Sequence, residues 1–184
     1  MLKITIGYDQ DCESPSEYDG WTPHSFSPRH INFKHPDDLP DLTEKLEKGL
    51  AFVLSYYEHG RCLWFRGGTS TPPGVEFQWD GTRTAGVLIW DEDEVNLGGR
   101  TYEERAKDAD AFLETYTAWA NGDCYYYVIE DLDEVIDSCG GFIGDTDYML
   151  TQIAEQIEGQ NFTVVGDLAP WLESELREKV EAQL

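Results

Sequence analysis

Leu2, Ile4 and Ile6 alternate with Lys3 and Thr5, the two-residue period of a strand with one buried face, so residues 2–8 read as an opening strand. Residues 9–28, dense in Asp, Ser, Pro and Gly, read as a long turn-rich connection, and 29–33 as a second strand. Residues 41–48 have helical spacing, and 50–58 and 61–66 flank His59-Gly60 as a hairpin. A loop with Gly67-Gly68 and Pro72-Pro73 follows, and Trp79-Asp80-Gly81 turns into a strand over 84–90.

The clearest element is a helix over 102–120. Thr101 and Glu104 stand at capping-box spacing, and Gly122 follows where a helix stop is expected. Tyr102, Ala106, Ala109, Leu113, Tyr116 and Ala120 recur at three and four, which predicts one buried face. Glu103, Lys107, Asp110, Glu114 and Thr117 then share an outward stripe. Residues 123–130 and 134–138 predict a second hairpin. Asp145 is placed to cap a helix running to Glu158, 162–165 is a short strand, and 169–183 is a closing helix with Pro170 in its first turn. Helices between groups of strands, rather than after every strand, predict an α+β fold with a mainly antiparallel sheet and about three to four helices packed on it. No repeat and no linker marks a boundary, so 1–184 is read as a single domain.

Charge changes the picture. The formal net charge is −24, from 37 Asp and Glu against 13 Lys and Arg. It is uneven: residues 1–90 hold 13 acids and 8 bases, whereas 91–184 hold 24 acids and 5 bases. From 108 to 176 there are 16 carboxylates and no Lys or Arg, where average usage would place about seven or eight bases. Solvated faces normally mix signs because like charges repel. This balance excludes unaided binding to a nucleic-acid backbone or to an anionic membrane, both of which need Lys and Arg. A compact chain of this length spans about 40 Å, and that length of duplex DNA carries about 24 charges. No long apolar run is present, and the opening segment lacks the pattern of a signal peptide, so a cytoplasmic protein is expected. Cys12, Cys62, Cys124 and Cys139 are scattered, without a CxxC pair, and read as free thiols.

Local catalytic signatures are absent: there is no GxSxG, GxxxxGK[ST], HExxH or GxGxxG. No enzyme activity and no cofactor is expected. His24, His30 and His35 lie near Cys12, but their spacing fits no standard zinc site. The runs starting at Asp9 and Asp91 begin like calcium loops, then place Ser14 and Asn96 where Gly is needed and Gly20 and Tyr102 where Glu is needed. Asp145 and Asp147, after the glycine-rich 140–144, form a paired-carboxylate candidate whose plainer reading is a helix cap. Tyr125, Tyr126 and Tyr127 alternate between sheet faces, so at least one ring is expected to be exposed or half covered.

Four segments, 11–20 (DCESPSEYDG), 79–90 (WDGTRTAGVLIW), 116–130 (YTAWANGDCYYYVIE) and 137–144 (DSCGGFIG), together 45 of 184 residues, resemble in order a family of small acidic proteins of unknown function encoded by tailed bacteriophages and prophages. The chain departs from that pattern where Gly140 follows Cys139. The resemblance implies a viral setting and carries no activity with it.

The expectation from charge and setting together is an inhibitor of a host nucleic-acid-binding defence protein, anti-CRISPR or antirestriction. Such a protein would occupy a basic DNA-binding groove with a DNA-mimicking acidic surface, concentrated in 91–184. The expected partner-binding residues are Asp91, Glu92, Asp93, Glu94, Glu103, Asp110, Glu114, Glu130, Asp131, Asp133, Glu134, Asp137, Asp145 and Asp147. Tyr125 and Tyr127 are expected to add apolar contact. The alternatives are an acidic halophilic or phage interaction protein without mimicry, and a metal-dependent enzyme using Asp9 and Asp11 or His24, His30 and His35.

Overall fold

A computed structural model describes residues 1–97, 100–157 and 159–183. In chain order the elements are β1 (Leu2–Tyr8), β2 (Trp21–Ser25), α1 (Leu42–Lys48), β3 (Ala51–His59), β4 (Arg61–Arg66), α2 (Phe77–Asp80) and β5 (Gly81–Trp90). They continue with α3 (Tyr102–Ala120), β6 (Cys124–Asp131), β7 (Glu134–Ile143), α4 (Thr146–Gln156), β8 (Phe162–Val165) and α5 (Ala169–Glu181). The fold is α+β, with two mostly antiparallel sheets. Among the described residues no helix is long and apolar enough to cross a membrane.

Contacts within the chain gather into two compact units. One joins Met1–Glu13 to the chain from Gly122 onward; the other is Ser14–Asn121, inserted in sequence between β1 and β6. In the first unit the sheet order is β7-β6-β1-β8, with β1 antiparallel to β6 and parallel to β8. Leu2, Ile4 and Ile6 of β1 bury against Ile129 and the apolar stripes of α4 and α5, chiefly Met149, Leu150, Ile153, Leu172 and Leu176. Asp145 accepts a hydrogen bond from the Tyr148 amide (2.9 Å), so α4 starts at the cap the sequence predicts. Its predicted end at Glu158 lies outside the described residues.

The second unit holds the antiparallel sheet β2-β5-β3-β4. Residues 85–90 of the central strand β5 are buried without alternation, because this sheet is covered on both faces. On one face Trp21, Leu54, Trp64 and Leu88 meet Ala106, Ala109, Phe112, Leu113 and Tyr116 of α3. On the other, Ala51, Val87 and Ile89 meet Leu42 and Leu46 of α1 with Phe26 and Leu39. Gly86 is needed where β5 meets β2, since a Cβ there would run into the His24 carbonyl oxygen.

Three sequence expectations change. The second strand is Trp21–Ser25 rather than 29–33, because Trp21, Pro23 and Ser25 alternate inward and Pro23 is tolerated on an edge strand. Ser25 Oγ then accepts a hydrogen bond from the Ser27 amide (3.1 Å) and turns the chain before 29–33 can extend. Strand β7 runs on through Gly140 and Gly141 to Ile143, where a loop is expected from the glycines. A register shift opposite Tyr125–Tyr127 absorbs them, with Gly141 at φ 76° and its amide donating to Asp9 Oδ2 (2.8 Å). Trp79 and Asp80 belong to the single helical turn α2 rather than to a turn before β5.

The β5–β2 approach makes Gly86→Ala destabilising by about 2 kcal/mol through overpacking. Urea unfolding at fixed pH is the check; an unchanged midpoint would mean that β2 can move aside.

Candidate interaction surface

The acids of the inserted unit divide by what they touch. Thr101 Oγ1 accepts from the Glu104 amide (3.3 Å) while Glu104 Oε2 accepts from the Thr101 amide (2.8 Å), so the capping box is formed. These hydrogen bonds, the backbone one foremost, hold the Glu104 carboxyl below its ordinary range. Glu103 and Glu114 face water, as does Lys107 between them. Asp110, expected on the same outward stripe, turns instead to β4 and accepts from Arg66 Nε (2.6 Å) and Nη2 (2.7 Å). Thr117 also turns to β4, accepting from the Trp64 amide (3.0 Å). The buried arc of α3 is therefore shifted from the predicted face: Arg105 and Phe112 join it, while Tyr102 and Ala120 lie exposed.

The run Asp91–Glu94 is only partly free. Asp91 lies 3.9 Å from His24 Nε2, and Glu92 accepts from Asn96 Nδ2 (2.8 Å). The Asp93 carbonyl accepts from the Trp90 indole (3.2 Å), leaving its exposed carboxylate to solvent. Glu94 pairs with Arg105 Nη2 (3.2 Å), whose Nη1 donates to the Lys48 carbonyl (2.9 Å).

In the other unit the acids cluster on the β6–β7 hairpin. Leu132 and Asp133 form its two-residue turn with φ of 50° and 68°, the positive pair of a type I′ turn. Asp133 and Glu134 are exposed and Asp131 half exposed. Glu130 is neutralised across the sheet by Lys3 Nζ (2.8 Å). Tyr127 is core rather than contact surface: its ring is buried and its hydroxyl donates to Asp137 (2.7 Å). Burial first, and then that carboxylate, hold its phenol above the ordinary value. Asp145 is occupied by the α4 cap, and Asp147 pairs with Lys179 Nζ (2.6 Å).

Tyr125 remains half buried and lines an apolar groove of about 240 Å³ with Tyr8, Thr146, Leu168, Trp171 and Leu172. Trp171, 70% exposed, is the groove residue that sequence reasoning missed. Its signal was in the helix period, since Ala169, Leu172, Leu176 and Val180 form the buried stripe of α5 and leave Trp171 beside it.

The metal candidates are individually engaged. His30 Nδ1 lies 2.6 Å from Ser25 Oγ, with its ring edge-on to Tyr56 and Trp64. His35 Nδ1 accepts from the Asp37 amide (3.3 Å). Asp9 Oδ1 accepts from the Asp11 amide (3.1 Å) and its Oδ2 from Gly141. Among the described residues no three His, Cys, Asp or Glu side chains are grouped to hold a metal ion. The four cysteines are thiols rather than disulfides, and burial pushes the Cys124 pKa up to about 12.

Burial lowers the His24 pKa, against the opposing pull of Asp91. A depressed histidine binds its proton more readily unfolded, so its contribution is present above the ordinary value of 6.5 and lost as pH falls below it. His24→Gln is therefore expected to flatten the loss of urea midpoint between about pH 7 and pH 5. An equal slope in both proteins would remove His24 from the acid response.

No protein-family model matches the chain, and no curated protein and no solved structure matches it significantly.

Proposed function

We propose that this protein binds and inhibits a host nucleic-acid-binding defence protein, a CRISPR effector or a restriction enzyme, by presenting carboxylates to its basic DNA-binding groove. The supporting observation is the uncompensated charge. Asp133 and Glu134 stand together on a hairpin within a 69-residue stretch that has no Lys or Arg. Glu103 and Glu114 add exposed carboxylates along α3. Charge of one sign at this density attracts a basic groove over a long range and holds it through several ion pairs. The phage setting rests on the resemblance described above, and the site of action in this reading is the host cytoplasm. Binding alone performs the inhibition, with no chemical step.

Several of the expected carboxylates are already engaged, which narrows the proposal. Glu94, Asp110, Glu130 and Asp147 are paired with cationic side chains, Asp131 with the Met1 ammonium (3.6 Å), Asp137 holds Tyr127, and Asp145 caps α4. The proposal therefore rests on Asp93, Glu103 and Glu114 in one unit and on Asp133 and Glu134 in the other.

The test is displacement of labelled duplex DNA from purified CRISPR effectors and restriction enzymes. The protein is expected to compete with DNA for at least one of them at about 0.05 M salt and to lose that ability toward about 1 M, where the screening length falls to about 3 Å. Asp133→Asn and Glu134→Gln together should weaken competition about tenfold, the loss of roughly 1.4 kcal/mol of ion-pair energy. Displacement that ignores both salt and neutralisation would sink the reading, as would no displacement from any enzyme of either class.

A further inference from the structure

Strand β7 presents an open edge. In the order β7-β6-β1-β8 it has, among the described residues, a strand neighbour on one side only, and antiparallel pairing turns the N–H and C=O of every second residue away from that neighbour. Val135 and Ile136 on this strand are 56% and 59% exposed, and Leu132 in the turn before it is 91% exposed. Leu132 also sits at φ 50°, a conformation that suits Gly or Asn far better than a branched apolar residue. Natural edges are ordinarily blunted by Lys, Pro, a bulge or a covering element. β7 contains no Lys and no Pro; its interruptions are the glycine bulge at the far end and a register shift at Ile136, where Val135 and Ile136 are both left exposed.

The side-chain charges of this strand and its turn are all of one sign, with Asp131 lying 3.6 Å from the Met1 ammonium. Glu134 and Asp137 are on the strand, and Asp131 and Asp133 flank the turn. A second copy of this chain is a poor occupant, because pairing β7 with β7 would set these carboxylates against their own equivalents. A segment bearing Lys or Arg meets complementary charge instead.

We propose that the β7 edge is a docking site for an extended, Lys- or Arg-bearing segment of a partner protein, which adds to the sheet as a fifth strand. The backbone on either side of Ile136 supplies the hydrogen bonds, Val135 and Ile136 supply apolar contact, and the carboxylates select the basic sequence. The proposal is independent of DNA mimicry, since it requires no nucleic-acid function of the partner.

The probe is a blocked peptide of about six residues alternating Lys and Val, compared with a twin whose alternate backbone nitrogens are methylated. The twin keeps the charge and cannot pair as a strand. At about 0.15 M salt the parent is expected to bind and to slow amide exchange within β7, while the twin binds about tenfold more weakly. Val135→Lys with Ile136→Lys is expected to weaken parent binding by a similar factor, and since both side chains are exposed its thermal midpoint should match the wild type. If that variant proves less stable, the peptide pair still decides on the wild-type protein. Equal binding of the two peptides overturns the proposal by reducing it to charge attraction, and no binding of either overturns it outright. A dimer in sedimentation that the double substitution dissolves also overturns it, by making a second copy the occupant.

Discussion

Scarcity of positive charge governs this structure. With 13 Lys and Arg among 37 Asp and Glu, cations cannot be scattered over the surface, and several are placed where they tie elements together. Arg66 joins β4 to α3 through two hydrogen bonds to Asp110. Arg105, itself buried, joins α3 to the end of α1 through the Lys48 carbonyl and to the turn after β5 through Glu94. Lys3 links β1 to β6, and Lys179 links α5 to α4. Each tie neutralises one carboxylate with one cation, so the unpaired remainder is more uniformly negative than composition alone implies. The half-buried ties hold more than exposed ion pairs do, because water and salt screen them less.

Self-repulsion at −24 opposes compaction, and the apolar cores supply the opposing force. Each unit has its own. One is built on the alternation of β1 and the stripes of α4 and α5. The other sandwiches β5 between α3 and α1 and is rich in aromatic rings, with Trp21, Phe52, Trp64, Trp90, Phe112 and Tyr116 in one cluster. Large rings bury much area per residue and so concentrate the hydrophobic term in few positions. That leaves surface positions open to carboxylates.

What the sequence makes legible is what short-range physics decides. β1, the β3–β4 hairpin and α3 with its capping box stand at or within a residue or so of their expected places, because alternation, a Gly turn and a reciprocal cap are local signals. The α+β class follows from them. Features set by partners distant in sequence were hidden. The parallel pairing of β1 with β8 joins residues about 160 apart in the chain, and no local pattern announces it. The outward placement of Asp110 followed from helix period alone, and Arg66, 44 residues earlier, decides otherwise. Tyr127 reads as a contact residue until Asp137 on the neighbouring strand is seen to receive its hydroxyl. The reading of 1–184 as one domain rested on the lack of a linker, and the chain passes from one compact unit to the other at Glu13-Ser14 and at Asn121-Gly122.

The same carboxylates act at two ranges. At a distance they set up a field that draws basic surfaces and weakens as salt shortens its reach. At contact, on the β6–β7 hairpin, they border a strand edge whose hydrogen bonds and exposed Val135 and Ile136 work only once a partner has arrived. An edge so exposed would invite association with any extended chain, its own copies included. In the docking proposed above, one sign of charge around it would disfavour pairing with another copy and favour segments of opposite sign. On that proposal, negative charge on this hairpin serves the free protein and its complexes alike. This offers a physical reason for an exposed apolar strand to sit beside its exposed carboxylates rather than elsewhere.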